Sequence, residues 1–244
     1  MDSMSTNEEC AVSDNIRHPV VPLDVYMTWK QTPLPPFMQQ NVERLRELNP
    51  EFTFHIYTDE ECLTFIQKHF TQDVADAFQS LIPGAYKADL WRLCILYIHG
   101  GYYMDIKFSP IESFRLIELS ENEHYVLDRP THSLHIYNAL MVCKANNPFL
   151  FQCIREIVHN VSIKYYGESC LSPTGPELLG RIASSYKLNI DLVNPWGHQD
   201  HIMYKGTFIL RGYCNYREEQ QQHQHNVNQL HYSQAWHNRQ VYAN

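Results

Sequence analysis

The chain has 244 residues, 44% hydrophobic and 19% charged, which is the composition of a globular protein with ample material for a core. Its formal net charge of -8 is offset by no basic block, so nucleic acid is not an expected partner. Seven cysteines are dispersed, odd in number and without a CxxC pair, which points to reduced thiols and away from a zinc ribbon or disulfide framework. The polar, acidic start MDSMSTNEECAVSDN is unlike a signal or transit peptide, and no apolar run approaches the ~20 residues needed to span a bilayer. A soluble, cytoplasmic protein with no transmembrane segment is therefore expected.

Residues 1–18 read as a flexible tail ahead of a single domain over 19–244. The β-rich stretch 20–29 suits a first strand, and the prolines of QTPLPP mark a loop. A helix is expected over 37–48, ended by Asn49-Pro50. Residues 52–57 alternate like a strand, and Thr58-Asp59 caps a helix to about residue 70. Another helix covers 72–81 before Pro83-Gly84 breaks it.

The segment AYKADLWRLCILYIHGGYYMDIK, 85–107, is the most informative in the chain. Leu90, Trp91, Leu93, Cys94, Ile95, Leu96 and Ile98 form a helix buried on most faces, and Asp89 and Arg92 share one of those faces three residues apart. Charges are rarely placed in buried elements unless paired or used. Gly100-Gly101 stops the helix, and a short aromatic strand over 102–106 delivers Asp105. Helix, double glycine, strand and carboxylate is how α/β enzymes present charge to a ligand.

Strands are expected at 125–127 and 137–143, and helices at 149–161 and from Gly175-Pro176 to about 186. This alternation is that of an α/β sheet with helices on its faces. From about 190 the pattern is less regular, and the polar run EEQQQHQHNVNQLH reads as a surface loop and only secondarily as a histidine-rich metal site. His198, Asp200 and His201 in GHQDH form a weaker metal candidate without a fourth ligand. Asn160-Val161-Ser162 is a formal glycosylation sequon, expected to be unused. No Ser/His/Asp or Cys/His constellation for nucleophilic catalysis stands out.

VPLDVYMTW resembles the IPKIIHQTW opening of DXD-type sugar transferases of glycosyltransferase family 32, the group of fungal initiating mannosyltransferases and bacterial capsule enzymes. YKADLWRLCILYIHGGYYMDIK is similar to that family's SD-x-x-R-x-x-x-L-x-x-x-GG-x-Y-x-D-x-D segment, about sixty residues later in the expected order. LHYSQAW, near the end, resembles its closing His…Trp element. The likeness is strongest over 20–110 and thins beyond about 180.

The resemblance implies a GT-A-like mixed sheet flanked by helices, a Rossmann-like nucleotide-sugar-binding domain. It implies a retaining hexosyltransferase that takes a UDP- or GDP-linked sugar to a hydroxyl of a glycan or glycoconjugate acceptor. Asp105, Asp89 and Arg92 are its catalytic candidates. Trp29, Tyr103, Lys107, Asn138 and Trp236 join those three as donor-binding candidates, with Trp29 stacking on the base and Asp89 and Arg92 on the sugar hydroxyls. Asp105 and His231 would ligate a divalent ion, Mn2+ or Mg2+.

Lys107 departs from the pattern, which ends D-x-D where this chain has Asp105-Ile106-Lys107. An ammonium has three donors and no lone pair, so it cannot ligate a divalent metal ion. Metal dependence is thus expected to be weakened, with Lys107 able to take over charge neutralisation at the diphosphate. Two alternatives stay open: a nucleotide-sugar-binding protein without turnover, and an interaction module built on the acidic surface.

Overall fold

The computed structural model describes residues 19–128, 134–198, 200–226 and 230–243. The expected tail, 1–18, lies outside them. One nine-stranded mixed sheet runs through the molecule, formed by β1 (Asp24–Thr28), β2 (Thr53–Tyr57), β3 (Gly101–Met104), β4 (Phe108–Pro110), β5 (His124–Asp128), β6 (Ile136–Cys143), β7 (Leu192–Asn194), β8 (His201–Tyr204) and β9 (Thr207–Gly212). Their order is β2-β1-β3-β6-β5-β7-β8-β9-β4. The helices are α1 (Pro36–Leu48), α2 (Asp59–His69), α3 (Gln72–Ser80), α4 (Gly84–His99), α5 (Pro148–Ser162), α6 (Pro176–Ala183), α7 (Tyr216–Asn226) and α8 (Tyr232–His237).

Alternation along the strands divides the core in two. Tyr26, Tyr103 and Met141 face the packed helices α2 to α6, while Val25, Met27, Tyr102, Met104 and Val142 face α1 and the residues of β7 to β9. Helix α4 lies wholly against the first of these cores, with Trp91, Leu93, Cys94, Ile95 and Leu96 fully buried. It ends where expected. Gly100 has φ 67° and ψ -163°, a conformation open essentially to glycine, and Gly101 has φ 98° with Asp24 O 2.7 Å from where a Cβ would sit.

Strand β3 is shorter than its sequence suggests and stops at Met104. Asp105 adds one ladder bond, its N–H donating to Ala139 O at 2.8 Å, and Phe108 N–H then closes a turn on Asp105 O at 3.1 Å. Six strand spacings separate β3 from β4 in the sheet order, about 29 Å if the sheet were flat. Yet Met104 and Phe108 are joined through three residues, a reach of about 14 Å at most. The sheet must therefore curl until its β9-β4 edge comes round to β3. Asp105, Ile106 and Lys107 bridge that seam.

The part beyond residue 190 is more regular than expected, holding three strands and two helices. The polar run is not a loop at its start, because most of it forms α7. Glu219 explains why. Although charged, it is buried, its carboxylate accepting from Phe37 N–H (2.9 Å), Met38 N–H (3.0 Å) and the Tyr213 hydroxyl (2.7 Å). It thereby caps the start of α1, where Pro35 offers no side-chain cap. Asn160 of the sequon is buried in α5 and donates to Pro173 O at 2.9 Å. Among the described residues, no helix is long and apolar enough to cross a membrane.

Candidate active site

Strands β1, β2 and β3 run parallel, and β5 and β6 are set so that the end of one and the start of the other reach the same sheet edge. A cleft of about 480 Å³ opens along that edge, walled by the first half of α4 and by residues of α7 and the segment leading into α8. Trp29, Asp89, Arg92, Tyr103, Asp105, Lys107, Asn138 and His231 all line it. Of the expected donor-site residues, Trp236 does not. Its indole N–H donates to Tyr166 O at 2.7 Å, and its ring packs against the helix-side core.

Asp89 and Arg92 form a bridge across one helical turn, 3.2 Å from Nη2 to Oδ1, with side chains 11% and 6% exposed. Neither group depends on the other alone. Asp89 also accepts from Asn138 Nδ2 (2.9 Å) and Thr174 Oγ1 (2.8 Å). Arg92 donates to Ala88 O (3.1 Å) and Asn138 O (2.5 Å), and its guanidinium stacks 4.2 Å from the Tyr103 ring centroid. Burial pushes the Asp89 carboxyl up, opposed by Arg92, Thr174 and Asn138. Burial would lower Arg92, but Tyr103 and the two aspartates hold it above the ordinary arginine range.

Asp105 sits next along the wall. Its Oδ1 accepts from the Tyr103 hydroxyl at 3.1 Å and lies 3.6 Å from Arg92, while Oδ2 lies 3.3 Å from Lys107 Nζ. Lys107 also donates to the Tyr137 hydroxyl at 2.9 Å and lies 3.3 Å from Asp200 Oδ1. Arg217 pairs with the other oxygen of Asp200. Burial raises the Asp200 carboxyl, but Lys107 and Arg217 outweigh it and hold the group below its usual range. Burial likewise disfavours the Lys107 ammonium, yet Tyr137, Asp105, Tyr216 and Asp200 carry it well above the usual lysine value.

At the β1 end, the Trp29 ring lies 4.9 Å from the His223 ring of α7. Asp59, first residue of α2, lines the cleft beside them, its carboxyl pushed up by burial and held back by Lys87, Lys30 and His223. Tyr137, Thr174, Asp200, Asp59 and His223 are the site residues that sequence reasoning missed or misassigned. Asp200 was visible in GHQDH as a metal candidate, but its partners turn out to be cations. His223 stood in the polar run read secondarily as a histidine-rich metal site and Asp59 in the Thr58-Asp59 cap, while Tyr137 and Thr174 carried no local signal.

Residues 35–125 match the model of the glycosyltransferase sugar-binding region containing DXD motif. Over that region the chain is similar to DXD-type sugar transferases. Similar proteins include inositol phosphoceramide mannosyltransferase 2 of Schizosaccharomyces pombe, 26% identical over 79% of this chain and 54% of its own length. Mannosyl phosphorylinositol ceramide synthase SUR1 of Saccharomyces cerevisiae is 24% identical over 69% of this chain and 43% of its own. The chain thus spans about half the length of the curated relatives it matches. Among solved structures, PaToxG glycosyltransferase superposes with a TM-score of 0.52 at 15% identity, covering 68% of this chain and 69% of that one. The fold of this chain is GT-A-like, a curled mixed sheet flanked by helices.

The family's pattern implies a divalent ion, and the donor set here does not fit one. Both oxygens of Asp105 face donors of this chain, and the second aspartate's place holds an ammonium. His231 Nδ1 bonds Ser233 at the start of α8, which leaves only its Nε2 for a ligand. Among the described residues, no group of three or more His, Cys, Asp or Glu is placed to hold a metal.

Proposed function

We propose that this chain is a retaining hexosyltransferase using a UDP- or GDP-linked sugar and passing the hexose to a hydroxyl of a glycan or glycoconjugate. The observation that carries the reading is the convergence of Asp89, Arg92, Tyr103, Asp105, Lys107 and Asn138 on one cleft, all but the last within the matched region. Relatives named as mannosyltransferases make the mannosyl group the first to test. In this reading Trp29 stacks on the base, and Asp105 holds a sugar or ribose hydroxyl. The Asp89–Arg92 pair, rigid through its own bonds, positions the transferred sugar. The cations of the cleft stabilise charge that develops on the leaving diphosphate. A front-face displacement needs no protein nucleophile, because the departing phosphate oxygen takes the acceptor's proton as the new glycosidic bond forms.

A screen of UDP- and GDP-sugars by thermal stabilisation identifies the donor, since a ligand at 100 times its dissociation constant adds about 2.7 kcal/mol. Hydrolysis or transfer of that sugar then tests catalysis. Asp105→Asn should lower turnover by about two orders of magnitude or more, as for a sugar misplaced by about 1 Å, with the fold retained. Turnover surviving within a few-fold means the site is misplaced. The commitment of Asp89 and Asp105 to ion pairs favours one second reading, donor binding without turnover. Tight binding with no hydrolysis or transfer would select it.

A further inference from the structure

The seam between β3 and β4 is closed by a single buried ammonium. Lys107 is 12% exposed at its side chain and meets Tyr137 Oη at 2.9 Å, Asp105 Oδ2 at 3.3 Å and Asp200 Oδ1 at 3.3 Å. Tyr137 takes one of its three N–H groups as a hydrogen bond, and the two carboxylates stand at ion-pair distance. Those carboxylates come from segments far apart in the chain, drawn to one point by a cation at a strand end. A divalent ion bridging carboxylates would do the same.

Charge counting strengthens the parallel. Asp89, Asp105 and Asp200 face Arg92, Lys107 and Arg217, so the cluster is neutral with no ion added. Aspartate at position 107 would change that balance by two units, which is the charge of one divalent ion. An ion seated on Asp105 Oδ2 would stand beside the ammonium and be repelled by it. Lys107 lines the cleft, whereas Asp200 lies behind it, in a neighbouring recess with Gly212, Tyr213 and Arg217. Asp200 is carried there by the curl of the sheet, its carbonyl accepting from Gly212 N–H at 2.7 Å while Gly212 pairs with Phe108.

We propose that Lys107, clamped by Asp105, Asp200 and Tyr137, is the resident cation of the diphosphate site, so that a nucleoside diphosphate binds without a divalent ion. Asp200 is a positioning residue in this arrangement: it acts on the ligand through the ammonium it holds. The inference rests on the transferase reading of the same cleft.

Isothermal titration of the full chain with UDP and with GDP, each in EDTA and in Mn2+, tests it. The parent should bind one of them with dissociation constants within about threefold of each other in the two conditions, well under the factor of ten that 1.4 kcal/mol represents. Lys107→Asp should lose about tenfold or more in EDTA and recover with Mn2+. Because that variant sets three carboxylates together and can fail to fold, Lys107→Met serves beside it. It should weaken the diphosphate but leave the free nucleoside's affinity unchanged. Asp200→Asn should weaken the diphosphate in EDTA with the nucleoside again unaffected, a selectivity that a merely structural role would not produce. A parent that binds only with Mn2+ overturns the inference and leaves the transferase reading standing. Equal losses of diphosphate and nucleoside in all variants also overturn it. No binding of UDP or GDP in either condition overturns both.

Discussion

Replacing Asp89 by alanine would leave the Arg92 guanidinium buried without its nearest carboxylate, and Thr174 and Asn138 without their acceptor. Removing one partner of a buried ion pair costs about 3–5 kcal/mol, because the remaining charge stays desolvated. Arg92 keeps Ala88 O, Asn138 O and the Tyr103 face, and Asp105 lies 3.6 Å away, so the lower end of that range applies. At about 2–4 °C per kcal/mol for a chain of this size, the melting temperature should fall by about 6–12 °C. Urea unfolding at neutral pH, followed by tryptophan fluorescence, gives the free energy directly. Thr174→Ala is the control: it removes a single hydrogen bond to the same carboxylate and should cost about 1 kcal/mol. If Asp89→Ala stays within about 1 kcal/mol of the parent while nucleotide-sugar binding disappears, the carboxylate is a ligand group and the structural pairing argued above is wrong.

Glu219→Gln should destabilise by about 1–3 kcal/mol, since the charge-assisted cap on Phe37 and Met38 N–H is weakened in a buried position. An unchanged urea midpoint would mean that α1 does not need it. Asp200 predicts a pH dependence. Its folded value lies below the ordinary carboxyl value of about 3.9, so its stabilising contribution is full above about pH 4 and is lost as pH falls through the lower folded value. The stability gap between the parent and Asp200→Asn should therefore shrink on acidification below about pH 4. A gap that stays constant in urea titrations down to about pH 3 would show that the carboxylate gains nothing from Lys107 and Arg217.

Much of the site was legible because its signals are local. A near-continuous apolar run makes α4 a buried helix, three-residue spacing sets Asp89 beside Arg92, and only glycine accepts the backbone at Gly100. Those rules reach a few residues along the chain, and there the expectations of helix, stop, strand and carboxylate hold. The strand boundary was placed two residues late, because aromatic and β-branched residues continue past Met104 although the ladder does not. Beyond 190 the expectations thinned for a different reason. Strands β7, β8 and β9 are three to six residues long, too short for periodicity to register. The helix α7 is polar nearly all round and is held by a carboxylate bonded 182 and 181 residues away in sequence, at Phe37 and Met38.

The character of position 107 divides the same way. That it bears a cation and cannot ligate a metal is a property of the lysine side chain, readable from one letter. What that cation does was decided only in three dimensions. A curled sheet brings β9 beside β4, β9 carries the Asp200 segment with it, and β6 places the Tyr137 hydroxyl at the same point. Strand pairing over long sequence separations follows from the burial of both sheet faces, a property of the whole chain that no local pattern encodes.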